Sequence, residues 1–356
     1  MRAIPLKLIE DLRNLNVSRP LRFMEVCGTH TVNICRFGLR SIFPKNVELR
    51  SGPGCPVCVT PASAIKIGVD LALSFEKTIV LTYGDMMKVP GPTMTLADAK
   101  ARGGRILSVY SVVEAIDLAE KERDFKIVFL GVGFETTAPS SAWAIKEAKR
   151  RNLKNFFLAS FHKLIPPALE ILASERTLDG FLCPGHVSTI IGLKPYEEIS
   201  KRHKIPCVIS GFEAEDIIIA MLKLIEMAEK KEYMAFNAYK RAVKEKGNIK
   251  AQELLKEVFE EEDTEWRGLG IIPKSGLKIK EEFSDFDAKI AFKIKDESVK
   301  DIPGCKCGEV LKGQIYPYEC PLFGNSCTPE QPVGPCMISS EGSCAAYYRY
   351  GGLIEP

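Results

Sequence analysis

No stretch of this chain is both long and uncharged. The roughly 18 consecutive apolar residues of a membrane-crossing helix do not occur. The opening residues, MRAIPLKLIEDLRN, carry charges through the place where a secretory signal would have its apolar centre. Neither a membrane span nor a secretion signal is therefore expected, and the cytoplasm is the expected compartment. An excess of one charge is missing too: 49 Lys and Arg against 46 Asp and Glu leave a formal net charge of +3. That balance argues against nucleic acid or an anionic membrane surface as the main partner.

What the sequence does have is sulfur. There are twelve cysteines among 356 residues. A reducing cytosol disfavours structural disulfides, so metal or redox chemistry is the better explanation for them. Intracellular proteins of hyperthermophiles are the exception, and the Lys- and Glu-heavy stretch Glu226–Glu265 is compatible with such a source. A hydrophobic fraction of 46% supplies an ordinary globular core, and the length allows two or three domains.

Short β-branched and apolar runs recur about every 25–30 residues, the spacing of βα units in a parallel sheet. Strands are expected near Leu21–Val26, Val47–Ser51, Thr78–Tyr83, Arg105–Tyr110, Lys126–Val132, Asn155–Ser160, Gly180–Cys183 and Pro206–Ser210. Helical patterns such as Val112–Arg123 and Ser140–Arg151 lie between them, and the strands read as two sets of four. Unusual residues follow the strands: Cys27-Gly28-Thr29-His30, Gly52 to Cys58, Gly84-Asp85, Gly133 to Thr137, Pro184-Gly185-His186 and Gly211-Phe212-Glu213. Ligands of open α/β sheets bind outside the carboxyl ends of the strands, so these turns are the natural site. "EVCGTHT" and "GVGFETT" share one plan, strand to turn to a Thr-bearing helix start. From Glu213 to about Glu262 long helices are expected, with Ile217, Met221, Leu224 and Ile225 on the apolar face. The last fifty residues are rich in Gly, Pro and Cys and need a staple or a metal to hold together.

Three thiol groups carry the chemistry. In the tail, Cys305-x14-Cys320-x6-Cys327-x16-Cys344 is spread too widely for zinc knuckles and suits an iron–sulfur cluster, with a zinc or disulfide staple as the alternative. Cys307 and Cys336 are left over, as a disulfide or a thiol pair beside the cluster. In "EVCGTHT", a helix start favours the thiolate of Cys27, and thiolate plus the His30 imidazole is a credible ligand pair for a metal such as ferrous iron; a buried Cys with a turn-capping His is the alternative. In "GPGCPVC", Pro56 stiffens a loop that holds Cys55 and Cys58 within disulfide reach, which favours a redox pair over half a zinc site. Asp85, Glu135, His186 and Glu213 sit beside glycines after strands. Singly each reads as a turn or cap residue; with Cys27 and His30 they form a set of ligands and proton carriers. Cys35, Cys183 and Cys207 are expected in the core, and His162 and His203 in solvent.

Taken together, "FMEVCGTHT", "RSGPGCPVCVTP", "YGDMMKVPG", "GFETTAPS", "CPGHVSTIIG", "ISGFEAEDI" and the four-cysteine tail resemble the hydrogenase maturation factor HypD family over nearly the whole chain. The resemblance implies two similar open α/β domains with parallel sheets plus a helical, cysteine-rich iron–sulfur domain. The boundaries expected are an N-terminal helix in 1–20 packing on the third domain, α/β domains at 21–122 and 123–215, and the cluster domain at 216–356. It implies a scaffold on which the Fe(CN)2CO unit of [NiFe]-hydrogenase is assembled, in complex with a small chaperone, HypC, and with cyanide received from HypE. Cys27 would bind that iron with His30 close by, Cys55 and Cys58 would be redox-active, and Cys305, Cys320, Cys327 and Cys344 would hold a [4Fe–4S] cluster. The competing expectation is an iron–sulfur-dependent thiol/disulfide reductase in which Cys27 is incidental.

Overall fold

The computed structural model describes residues 5–295, 299 and 302–351. Eleven strands are present among them: β1 (Leu21–Glu25), β2 (Val47–Ser51), β3 (Thr78–Thr82), β4 (Ile106–Ser108), β5 (Lys126–Gly131), β6 (Phe156–Ser160), β7 (Gly180–Pro184), β8 (Cys207–Ser210), β9 (Ala235–Asn237), β10 (Phe259–Trp266) and β11 (Gly270–Ile279). The first eight fall where the apolar runs place them. All eight pair in parallel, so the α/β class with parallel sheets is correct. Runs such as Thr78–Thr82 are buried along their whole length, as strands covered by helices on both faces require.

The strands do not group in sequence order. One sheet runs β2-β1-β7-β8-β9 and the other β4-β3-β5-β6. The chain divides accordingly into two discontinuous units. The first holds the residues through Cys55, Ile165–Ile249, and the chain from Gly304 onward; the second holds Pro56–Leu164 and Lys250–Pro303. Hydrophobic periodicity marks where a strand lies but not which strand it pairs with.

Each unit has its own core. In the first, Phe23, Leu182 and Val208 pack with the helix Ala214–Lys230, whose Ile217, Met221, Leu224 and Ile225 are all fully buried, as the pattern required. Leu12, from the helix Leu6–Arg13, joins this core. In the second, Ile127, Phe129, Ile145 and Phe156 pack with Val258, Phe259, Leu277 and Phe283.

The expected run of helices to Glu262 is corrected. After the helix Ile249–Val258 the chain enters β10, whose Glu-rich sequence FEEEDTEW reads as helical by composition. It pairs antiparallel with β11 instead, across a turn in which Gly268 and Gly270 take φ of 78° and 81°. Those glycines reverse the chain, and pairing then decides the structure over helix propensity. The cysteine-rich tail forms short helices, Cys307–Leu311, Pro335–Ile338 and Ser343–Tyr350. Ala346 and Tyr347 of the last pack on Cys35. No helix among the described residues is long and apolar enough to cross a membrane.

Candidate functional site: thiol-bearing strand ends and a cysteine pocket

In the first unit β1 ends at Glu25 and the helix Gly28–Arg36 begins three residues on, with Cys27 in extended conformation (φ −154°) as its cap. The backbone N–H groups of His30 and Thr29 donate to the Cys27 sulfur, and the Thr29 hydroxyl lies beside it. That is the arrangement of a helix start that favours a thiolate. Burial works the other way and prevails: with the Glu341 carboxylate adding to it, burial pushes the thiol up to about 11. Cys27 therefore waits as a buried thiol whose donors are already aimed at its anion.

The GPGC loop lies directly against this turn. A Cβ on Gly54 would fall 2.3 Å from the Cys27 Cα and 2.4 Å from its nitrogen, so glycine is required there. The Gly28 N–H donates to the Gly54 carbonyl at 3.2 Å. Cys55 follows Gly54 directly in the chain. Cys55 and Cys58 are disulfide-bonded, and the other ten cysteines form no disulfide.

His30 is fully buried. Its Nε2 lies 2.8 Å from the Gly211 carbonyl, so the proton sits on Nε2, and Nδ1 has no hydrogen-bond partner. Burial lowers its pKa to about 4, which keeps the ring neutral, the form that ligates metals. The ring packs on Phe212 with centroids 4.7 Å apart, and His186, in the helix that follows β7, stacks on the same Phe212 at 3.9 Å. Glu213 caps the helix Ala214–Lys230, in a reciprocal arrangement with Asp216. Cys27, Gly54–Cys55, His30, Phe212 and His186 are therefore brought together within the first unit. Asp85 and Glu135 belong to the second, where Asp85 lies in the short turn Gly84–Lys88 and Glu135 is buried.

Glu341 is the residue the sequence reading missed. Its Oε1 accepts from the Thr29 hydroxyl at 2.8 Å, and its backbone leaves no room for a side chain at Gly28, where a Cβ would meet its carbonyl oxygen at 2.4 Å. It sits between Cys336 and Cys344, in a segment read only for its cysteines. Two histidines are also corrected. His162, expected in solvent, is 1% exposed, with Nε2 at 2.9 Å from the Ser141 hydroxyl. His203 is partly buried against Glu170. In both cases neighbouring lysines suggested a solvated surface that the packing does not provide. Cys35, Cys183 and Cys207 are buried in the core as expected.

The tail cysteines converge. Cys305, Cys307, Cys320, Cys327 and Cys344 line one small cavity with Val310, Leu322, Phe323 and Met337. A Cβ on Gly334 would lie 2.6 Å from the Cys305 sulfur and 2.8 Å from that of Cys307. Cys336 hydrogen-bonds with Cys307 and Cys344, so neither spare cysteine stands apart. Hydrogen bonds from Cys307, then Cys336, draw the Cys344 thiol down to about 6. Among the described residues no group of three or more His, Cys, Asp or Glu is arranged to hold a single metal ion. A cluster of several irons spreads its thiolates further apart than one ion does. The donor set, with four or more thiols around an apolar cavity, fits such a cluster.

Fold and site define a parallel α/β protein that gathers thiols, one disulfide and neutral imidazoles at its strand ends and in its tail. Residues 4–351 match the family model HypD, described as the hydrogenase formation hypA family. The chain is 45% identical over 343 residues to hydrogenase maturation factor HypD2 of Bradyrhizobium diazoefficiens, covering 94% of this chain and 90% of that protein. It is 42% identical over 354 residues to hydrogenase maturation factor HypD of Escherichia coli, covering 97% and 95%. A putative hydrogenase expression/formation protein of Methanocaldococcus jannaschii is 40% identical over 351 residues, covering 98% of each. The chain belongs to the HypD family.

Proposed function

We propose that this chain serves hydrogenase maturation as the scaffold on which an iron carrying cyanide and carbon monoxide is assembled, with Cys27 as its thiolate ligand and His30 beside it. The observation that carries this reading is the contact of Gly54 with the Cys27 backbone, which sets a disulfide-forming cysteine next to a thiol with anion-directed donors. The neutral His30 ring, with Nδ1 unpartnered, adds a second ligand of the right kind. His186 and Glu213, in the same unit as Cys27, are the remaining polar groups assigned to the chemistry. The partners are a HypC-type chaperone and a HypE-type donor bearing cyanide as a thiocyanate on its own cysteine, and the compartment is the cytoplasm.

Releasing cyanide from the donor requires two electrons. The reduced pair Cys55 and Cys58 supplies them: the donor S–C bond breaks, its sulfur takes one proton, cyanide passes to the iron with its electron pair, one proton leaves, and a Cys55–Cys58 disulfide forms. On this reading the disulfide form of the pair, the form present here, would be its spent state. Cys305, Cys320, Cys327 and Cys344 would hold a [4Fe–4S] cluster, which when bound supplies electrons one at a time.

The test is anaerobic purification with both partners, followed by infrared spectroscopy and iron quantification. Cyanide and carbon monoxide bands are expected in the wild-type complex. Cys27→Ala is expected to lose them while keeping the iron–sulfur absorbance, and Cys55→Ser/Cys58→Ser to lose cyanide transfer. A wild-type complex without those bands overturns the reading and leaves a thiol/disulfide reductase.

A further inference from the structure

Arg40 lies in the short turn Leu39–Ile42, and every partner of its guanidinium leads to a thiol. Nη2 donates to Glu25 Oε1 at 2.7 Å, and Glu25 ends β1 two residues before Cys27. Nη1 donates to the Cys35 sulfur at 3.3 Å, on the helix that Cys27 caps. Nε donates to the Leu49 carbonyl at 3.3 Å, on β2, which runs on to Cys55. The guanidinium carbon lies 4.8 Å from the ring centroid of Tyr347, one turn after Cys344 on the helix Ser343–Tyr350. Ser51 completes the junction by donating to the same Glu25 oxygen at 2.9 Å. Alongside it, Arg50 stacks on Tyr316 at 3.8 Å, and Tyr316 packs on Tyr318 and Tyr347.

The Glu25 side chain is fully buried and that of Arg40 is 12% exposed. A buried pair of this kind contributes little net stability, because desolvation offsets the attraction, but removing one partner strands the other. What the pair does impose is geometry: a planar fork satisfied on several sides at once permits little relative movement of the pieces it joins. Cys344 and Tyr347 are three residues apart on one helix, so a displacement of Cys344 moves Tyr347 with it.

We propose that Arg40 is a positioning residue that joins the tail cysteine pocket to the Cys27 and Cys55 turns, so that a change at Cys344 is transmitted to Cys27. The proposal rests on the reading that these thiol groups work together, but it concerns the protein's own side chains and is tested without iron.

The experiment measures the rate at which iodoacetamide alkylates Cys27 in the iron-free, full-length protein, by peptide mass spectrometry, with the core thiol Cys183 as internal reference. Cys344→Ala is expected to change the Cys27 rate about fivefold, the size of an ordinary coupling between sites. In an Arg40→Lys background, which keeps the charge and loses the fork, Cys344→Ala is expected to leave the Cys27 rate unchanged. Tyr347→Leu is expected to abolish the coupling as Arg40→Lys does, and Tyr347→Phe, which keeps the ring, to preserve it. The Tyr347 pair decides the matter if Arg40→Lys does not fold. Equal effects of Cys344→Ala with and without the Arg40 fork, or none in either, overturn the proposal. So does acceleration of Cys183 together with Cys27, which marks general loosening. Infrared bands play no part here, so this proposal and the scaffold reading fail separately.

Discussion

The turn Val26–Thr31 of the first unit and the turn Gly131–Thr137 of the second solve one backbone problem with opposite chemistry. Both leave a parallel strand and enter a helix. In the first, the residue at the corner is Cys27, in extended conformation, with helix-start N–H groups aimed at its sulfur. In the second, the corner is Gly133 at φ 155°, where a Cβ would lie 1.7 Å from the Thr137 hydroxyl oxygen. Besides Glu135, which is buried in the turn itself, buried polar groups come from just beyond β6. His162 meets the Ser141 hydroxyl, and Lys163 donates at 2.7 Å both to the Thr264 hydroxyl and to the Glu265 carbonyl of the hairpin. Phe134 stacks on Trp266 of the same hairpin with centroids 5.9 Å apart. The first turn keeps a nucleophile; the second commits Lys163 to fastening the hairpin and the His162 Nε2 to Ser141, while the Nδ1 of each histidine, His30 and His162, has no hydrogen-bond partner. Similar sequence at a strand end fixes the path of the chain and leaves open whether its polar groups bind a ligand or the protein itself.

If that contrast is right, the second turn's groups should show up in stability rather than in ligand chemistry, and Lys163 should show it most. Burial lowers its pKa from 10.5 to about 7. Between those values the unfolded chain binds the extra proton, so stability rises with pH across that window and the burial cost is fully present below pH 7. A shift of that size corresponds to about 5 kcal/mol. Lys163→Met is expected to flatten the rise, as measured by urea unfolding from pH 6 to 10; a slope as steep as wild type would show that Lys163 is solvated. His162 is the smaller case. Burial lowers its pKa from 6.5 to about 4, so the unfolded chain again binds more protons in between, and stability is lost as pH falls through that range. The loss is about 3 kcal/mol. His162→Gln is expected to remove that part of the acid slope, with His30, similarly lowered, supplying the rest.

Sequence reading located elements and thiols well because both depend on local signals. The eight parallel strands were legible as apolar runs, and Ile217, Met221, Leu224 and Ile225 as one helix face. The tail cysteines were legible as a group because nothing else explains so many thiols in a segment poor in apolar runs. What stayed hidden depends on contacts distant in sequence. β1 pairs with β7 across a long insertion that forms the second unit's sheet, and no local pattern records that partner. β10 was hidden behind its glutamates, because composition favours a helix until β11 offers a ladder. Glu341 was hidden because a lone Glu in a Cys-rich tail has no spacing to interpret, and only folding brings it to Thr29. Gly54 lies between these cases: its loop was visibly tight, but the reason it must be glycine is the Cys27 backbone.

That reason gives the sharpest handle on the first turn. Gly54→Ala places a methyl carbon where the Cys27 Cα and nitrogen and the Val26 carbonyl carbon already stand, all backbone atoms that cannot rotate away. One of the two loops must move, at a cost of about 1–3 kcal/mol, the ordinary penalty for overpacking. The consequence specific to this site is separation of the two cysteines. The Gly28–Gly54 hydrogen bond should lengthen, and the Gly28 amide should exchange faster with solvent deuterium than in wild type, while amides of β5 and β6 in the second unit keep their protection. If the proposed scaffold role holds, cyanide transfer should fall even where the Cys55–Cys58 disulfide still forms, because the pair would be displaced from Cys27. Full transfer in a folded Gly54→Ala protein would mean that the closeness of these two turns is a packing feature without chemical purpose.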